Sequence, residues 1–321
     1  MSVPVAITPR PIKISNSEIQ TFKDCRRKWW LNYYRRLQPK SQNMTGALAL
    51  GTRIHGALDA YYGQGVPLLE AHAELVKKDK QLLIDTYRDT MDLDSEAELG
   101  RIMLEGYLQW VDENGIDAEL EMISTEEIIS MPMFDGEVEL QGKLDMRVRR
   151  KGDGVRMFRD FKTVGGSFAE FASLAHMNEQ ILTYMLLEDH QNTELGKNAG
   201  ERSEGGIFTM LKKVKRTANA KPPFYEQMEV RHNQFALRVF ASRLKGTIGD
   251  MLRVRNALDE GQDHYEVAYP RPSRDCKWKC QFFAICPLFD DGSAAEHAIS
   301  EIYAVADPYG YYKTDEAKGN E

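Results

Sequence analysis

The stretches Gly142-Lys143-Leu144-Asp145 and Arg159-Asp160-Phe161-Lys162-Thr163 decide how this chain reads. Each lies in a run with strand character, Gly136 to Arg149 and Val155 to Thr163, and Gly152-Asp153-Gly154 supplies the turn between them. Side chains at i and i+2 of a strand share a face, so Asp160 and Lys162 point the same way. If the two strands pair, Asp145 joins them. Two carboxylates and a lysine on one face suit phosphodiester hydrolysis. The carboxylates offer hard oxygen ligands to Mg²⁺ or Mn²⁺, and the lysine positions or polarises the attacking water. The plain alternative is a salt bridge at a strand edge, because an isolated Asp-x-Lys is common.

Working outward, Ala118 to Met131 reads as a further strand, set off by the Asp135-Gly136 turn. The three strands make an antiparallel meander. Helices are expected over Ala47 to Tyr62, within Leu68 to Arg88 and Ser95 to Asn114, and from Phe168 to His190. A strand follows at Gly206 to Lys212, another at Phe224 to Val230, and a helix from Asn233 to Asp259. The order is helix, three strands, helix, strand, inside a wrapper of further helices. That is an α/β fold class.

Two helical positions add to the acidic pair. His55 follows Gly51-Thr52-Arg53-Ile54, and one of its ring nitrogens could ligate a metal while a carboxylate such as Asp59 orients the other. A histidine satisfied within the core is the bland alternative. Gln180 and Tyr184 stand one helical turn apart after the Asp-x-Lys strand, where Gln180 could touch a phosphate or Lys162.

With these residues in place, the chain resembles the RecB-like exonuclease branch of the PD-(D/E)XK nuclease superfamily, including its CRISPR-associated and phage-type iron–sulfur members. The resemblance runs from Ser15 to about Phe289 and rests on His55, Asp145, Asp160-x-Lys162 and Gln180-x-x-x-Tyr184. It implies the restriction-endonuclease-like core. It also implies that His55, Asp145, Asp160 and the Phe161 carbonyl bind Mg²⁺ or Mn²⁺, with Lys162 beside the nucleophilic water. The long helical stretch from Tyr62 to Ala118 is not constrained by these motifs.

The chain has four cysteines: Cys25, then Cys276, Cys280 and Cys286 in a Cys-x3-Cys-x5-Cys-Pro arrangement. Clustered thiols suggest an iron–sulfur cluster or zinc, against the alternative of ordinary buried cysteines. The resemblance favours a 4Fe–4S cluster, since iron–sulfur relatives carry one cysteine before the nuclease core and three after it. Such a cluster would join the N-terminal helix to residues 270–289. That helix is read from Ser17, with Gln20 as partner in a capping box, to about Leu37. On a helical wheel Ile19, Phe22, Trp29, Trp30, Tyr33 and Leu37 form one stripe, with Arg26 in its middle. A guanidinium there needs an anionic partner, whether carboxylate, cluster or DNA phosphate.

Bulk properties exclude little. The 321 residues carry a formal net charge of -7, with 42% hydrophobic and 28% charged residues. The acidic balance argues against a protein coated in basic surface but leaves room for a local basic groove. Basic runs occur at Arg26-Arg27-Lys28, Arg35-Arg36, Arg147 to Lys151 and Lys212 to Arg216, each of which could equally be a solvated face. No apolar run suggests a membrane span, and the N-terminus lacks a secretory signal, so a cytoplasmic protein is expected. The expectation is one nuclease domain over 1–311, with its core at about 118–212, and a disordered acidic tail at 312–321. Its partner would be DNA, single-stranded or with free ends, with a helicase or recombination protein as a further partner; oligomeric state is not readable. The rival is a non-catalytic iron–sulfur or zinc DNA-binding or scaffold protein of the same fold.

Overall fold

The computed structural model describes residues 11–40, 44–86, 88–196 and 201–310, so the expected acidic tail lies outside the described residues. The chain opens with β1 (Ile12–Ser15), α1 (Asn16–Asp24), α2 (Arg26–Trp29), a π-helical turn at Trp30–Tyr34 and β2 (Leu37–Pro39). Three helices follow: α3 (Ala47–Gln64), α4 (Leu68–Asp85) and α5 (Met91–Glu113). Then come β3 (Leu120–Met133), β4 (Val138–Arg150), β5 (Arg156–Val164), α6 (Phe168–Ala175), α7 (Glu179–Glu194), β6 (Ser203–Lys212) and β7 (Tyr225–Arg231). The remainder is α8 (Gln234–Asp259), α9 (His264–Val267), α10 (Cys276–Lys279), α11 (Ala295–Ile302) and β8 (Tyr303–Val305). This is the α/β order expected, with the meander β3–β4–β5 separated from β6 by helices. No described helix is long and apolar enough to cross a membrane.

The chain divides into two compact units, one of residues 43–129 and 142–237, the other of residues 1–42, 130–141 and 238–321. In the first of these, β5 is the central strand. It pairs antiparallel with β4, where Met146 faces Arg159, and parallel with β6, where Asp160 faces Phe208. A strand covered on both sides has no solvent face, and Arg156 to Phe161 are all buried. Met157 and Phe161 join Leu50, Ile54, Leu58, Met103, Leu104 and Tyr107 of α3 and α5 in one core. On the opposite face, Phe158 meets Tyr184 of α7 edge to face, with ring centroids 5.7 Å apart. Truncating a side chain as buried as Ile54 to alanine costs about 2–5 kcal/mol. A Cβ on Gly51 would stand 3.2 Å from Thr163 Oγ1, so glycine lets α3 lie close to the end of β5. His55 is carried one turn further along.

The single helix expected over 168–190 is two. Asn178, in extended conformation, accepts the Gln180 N–H and starts α7 afresh. The break lets α7 run along β5 in its own direction, which brings Gln180 and Tyr184 to the strand.

In the other unit, β1 pairs parallel with residues 138–141 of β4, and β2 pairs antiparallel with β8. The expected helix from Ser17 to Leu37 is also broken. Its cap is Ser15, whose Oγ accepts the Glu18 N–H at 3.2 Å, rather than Ser17 with Gln20. At Cys25 the backbone turns extended (φ -162°, ψ 113°), ending α1; the Cys25 sulfur accepts the Lys28 N–H and begins α2. Leu37 belongs to a strand. The apolar stripe survives in Ile19, Phe22, Trp29, Trp30 and Leu37, all buried, with Tyr33 half-buried. The extended residue shifts the helical phase by one position, so the arginine drawn inward is Arg27, not Arg26. Arg27 is 1% exposed and makes a two-pronged pair with Asp290, at 2.7 and 2.8 Å.

Candidate functional site

Asp145 lies one residue beyond the last paired position of β4 opposite β5. There its Oδ2 accepts the Phe161 N–H at 3.1 Å, doing the work a backbone carbonyl does elsewhere in the ladder. N–H and C=O of a strand residue face the same edge, so the Phe161 carbonyl is also turned towards Asp145. His55 Nδ1 stands 3.4 Å from Asp145 Oδ2, so the carboxylate that meets this ring nitrogen is Asp145 itself. Asp160 and Lys162 share a face of β5, as their spacing requires, with Lys162 Nζ 2.7 Å from Asp160 Oδ2.

Gln180 ties the group together. Its Oε1 accepts from Lys162 Nζ at 3.0 Å, while its Nε2 donates to Asp160 Oδ1 at 2.9 Å and to the Tyr184 hydroxyl at 2.7 Å. Tyr184 in turn donates to the Lys143 carbonyl at 2.9 Å. That last bond uses the phenolic hydrogen, so the Tyr184 oxygen must accept from Gln180 and the amide has one orientation. Five of the six side chains expected at the site, Asp145, Asp160, Lys162, Gln180 and Tyr184, thus come together through β4, β5 and α7, and α3 delivers His55.

The electrostatics are uneven. Burial alone would raise Asp145, but the hydrogen bond and charge of His55, with Lys162 and the Phe161 N–H, hold it below the usual carboxylate range. Asp160, 2% exposed, is pushed up by burial and by the Asp145 charge against the pull of Lys162. Burial lowers His55, yet its bond to Asp145 and the nearby Asp160 leave it raised. Two carboxylates in one partly dry place, one of them reluctant to ionise, need more positive charge than one lysine supplies. A divalent cation answers that need, so the donor types fit. The side chains do not close on a common point, however. Among the described residues no three His, Cys, Asp or Glu side chains are grouped so as to hold a metal ion.

Two features were not legible beforehand. Glu126, at a positive φ of 50° in β3, pairs with Lys143 and is raised by burial and by the charges of Asp59 and Asp145. Nothing in the local sequence marks it, although Lys143 stands two residues before Asp145. On the other face of β5, Arg159 is 1% exposed and donates to Thr209 Oγ1 at 3.1 Å, Tyr107 hydroxyl at 2.9 Å and Asp117 Oδ1 at 2.7 Å. It also lies over the Tyr62 and Phe161 rings. The basic run at 147–151 is largely engaged in ion pairs: Arg147 with Glu127 and Glu188, Arg149 with Glu121, Arg150 with Asp153 and Glu229.

The four cysteines carry free thiols and come from two segments of their unit. Cys280 is raised by burial and also by the charges of Cys25 and Cys276, and Cys286 by burial and by Cys25 and Cys280. The thiols therefore sense one another. N–H groups face the sulfurs: Lys28 and Arg271 amides towards Cys25 at 3.5 and 3.4 Å, the Ser273 amide towards Cys276 at 3.3 Å, Arg27 Nη1 towards Cys286 at 3.9 Å. Such donors suit thiolate sulfur, while the sulfurs share in the absence of any three-ligand group among the described residues.

Comparison with known proteins gives the family. The model of the PD-(D/E)XK nuclease superfamily matches residues 13–287. Among solved structures, the chain is similar to a candidate exonuclease from Eubacterium rectale at 10% identity, covering 88% of this chain and 99% of that one with a TM-score of 0.45. It is also similar to the protein SSO0001 at 15% identity, covering 88% of both chains with a TM-score of 0.35. No curated protein matches the chain.

Proposed function

The chain belongs to the PD-(D/E)XK nuclease superfamily, and from that premise we propose that it is a Mg²⁺- or Mn²⁺-dependent deoxyribonuclease, an exonuclease of the RecB-like kind acting on single-stranded DNA ends. The observation that carries the reading is Lys162 held between Asp160 and Gln180, on the face that Asp145 shares. His55, Asp145, Asp160 and the Phe161 carbonyl would hold the cation. When bound, it would neutralise the paired carboxylates, polarise a phosphate oxygen and ease ionisation of water.

The protein's own groups do the rest. A lysine ammonium has three donors, and Asp160 and Gln180 take two of them. The third is left for the attacking water or a phosphate oxygen. Gln180, fixed in one orientation by Tyr184, keeps that donor aimed without a search among rotamers, which favours a near-attack arrangement. Against its burial, the His55 hydrogen bond and charge favour the ionised form of Asp145. The single-domain reading over 1–311, the cytoplasmic setting and a helicase or recombination partner belong to the same proposal.

Cys25, Cys276, Cys280 and Cys286 hold, in this reading, a 4Fe–4S cluster, with zinc as the alternative. The support is the layout of one thiol before and three after the nuclease core, and the N–H donors around the sulfurs. Anaerobically purified protein, incubated with end-labelled single- and double-stranded DNA with and without Mn²⁺, tests the activity. Release of nucleotides from single-stranded ends only with metal is expected, and intact DNA under all conditions rejects the nuclease. Iron, sulfide and zinc analysis of the same preparation decides the cysteine site. A colourless protein with one zinc removes the cluster, and one with neither metal removes both.

A further inference from the structure

Arg26 is left over from the site described above. It stands next to Arg27, whose charge Asp290 meets, yet among the described residues no carboxylate pairs with Arg26. Its central carbon lies instead 5.0 Å from the centroid of the Phe22 ring and 5.1 Å from that of Tyr269. Rings against a guanidinium cover its flat faces and leave its rim of N–H donors to find acceptors. Arg26 lines a cavity of 340 Å³, which Lys23 and Arg271 also line.

The cavity is built rather than incidental. The segment that follows α9 is fastened to the α1–α2 turn at three points. The Tyr269 carbonyl accepts the Arg27 N–H at 3.2 Å, the Arg271 N–H reaches Cys25 Sγ at 3.4 Å, and Arg271 Nη1 donates to the Lys23 carbonyl at 3.3 Å. Two acids line it as well, one of them with a cation elsewhere. Asp250 pairs with Arg253 at 2.9 Å, and Asp24 lies in the field of Lys279. Three cations around a fixed hollow, one of them half-buried and lacking a counter-ion, call for an anion with several acceptor oxygens. A phosphate group has that chemistry, and it accepts two parallel bonds from a guanidinium rim.

We propose that this cavity binds a backbone phosphate of a single-stranded nucleic acid, with Arg26 as its main ligand and Lys23 and Arg271 at its edge. The inference rests on the nuclease reading and adds a second anchor for the strand, in the unit that does not carry the acidic pair.

The test measures binding of a labelled single-stranded oligonucleotide in EDTA over a series of salt concentrations, for wild type and Arg26→Gln. One phosphate contact to a single strand contributes a slope of about 0.7 in log Kd against log salt. Arg26→Gln should lower the slope by about that amount and weaken binding roughly tenfold. Should Arg26→Gln fail to fold, Lys23→Gln at the exposed rim should move affinity and slope in the same direction by less. Unchanged slope and affinity in folded variants, with wild type still binding and cleaving DNA, overturns the proposal and leaves the nuclease standing. Wild type that neither binds nor cleaves DNA sinks the nuclease reading, and this one with it. Loss of bound metal from Arg26→Gln with DNA binding intact also overturns it, because the guanidinium then serves the thiols. Inorganic phosphate added without DNA identifies the source. Thermal stabilisation of wild type that Arg26→Gln lacks, with no effect on DNA binding, keeps the phosphate pocket but gives it to a free anion.

Discussion

Arg159 and Asp160 are neighbours in β5, both buried and both charged by composition, and their surroundings differ in kind. Arg159 faces α3 and α5 and has Asp117, Tyr107 and Thr209 around it; the Asp117 charge and the polar tyrosines outweigh its desolvation, and its pKa is raised. Asp160 faces α7 and, despite Lys162 and Gln180, remains pushed up by burial and by Asp145. A structural ion is matched by its own protein. An ion kept for chemistry is left short of charge until something else arrives. The two faces of one strand thus separate a supporting role from a working one.

The largest effect should come from the working face. Lys162→Ala removes the donor aimed at the water, and the cleavage rate should fall about 10²–10⁴-fold with DNA affinity nearly unchanged. Equal loss of binding, measured in EDTA, would make Lys162 a phosphate anchor instead. On the supporting face, Arg159→Leu leaves Asp117 and two phenols without their cation. Stability should drop by about 3–5 kcal/mol in denaturant unfolding. A loss under 1 kcal/mol would mean that the arginine is not the ion it is taken for.

A third buried ion gives an independent measure. Glu18 accepts from Trp29 Nε1 at 2.7 Å, faces Arg255 at 3.5 Å and meets the Tyr309 hydroxyl, yet burial lifts it from 4.5 to about 7. A carboxyl whose folded pKa is raised favours the native state below its unfolded pKa, and that advantage is lost as pH rises through the folded value. Stability should therefore decline between about pH 4.5 and 7, by at most about 3 kcal/mol, and Glu18→Gln should flatten the decline. A slope that is the same in both proteins removes Glu18 from the pH response. The smallest effect on stability belongs to Asp160→Asn. An amide there needs no charge matched, so the melting temperature without divalent metal at pH 7 should rise by about 1–3 °C while cleavage is lost. A lower melting temperature would place Asp160 with the supporting ions.

The comparison also explains what could be read in advance. Period two in β5 and a turn at Gly152–Gly154 are local facts, so the shared face of Asp145, Asp160 and Lys162 was legible from the sequence. So was the order of strands and helices from α3 to α8, apart from the break within residues 168–190. The breaks at Cys25 and Asn178 were not, because in each case a side chain accepting a backbone N–H ends one helix and starts another inside an uninterrupted apolar pattern. The error over Arg26 and Arg27 follows from the first break, since a helical wheel assumes constant phase. The partners of Arg159 come from positions 62, 107, 117 and 209, and no spacing rule links them. Glu126 stayed hidden for the same reason.

Cys25 has a consequence of its own. Its backbone N–H closes one helix on the Thr21 carbonyl and its sulfur opens the next on the Lys28 N–H, so one residue is the hinge pin between two rods. Any partner that takes hold of that sulfur draws on the electron density that the Lys28 amide shares. The exchange of the Lys28 amide hydrogen with solvent deuterium would then rise or fall with the state of the thiol, making Lys28 a built-in gauge of what the cysteine holds.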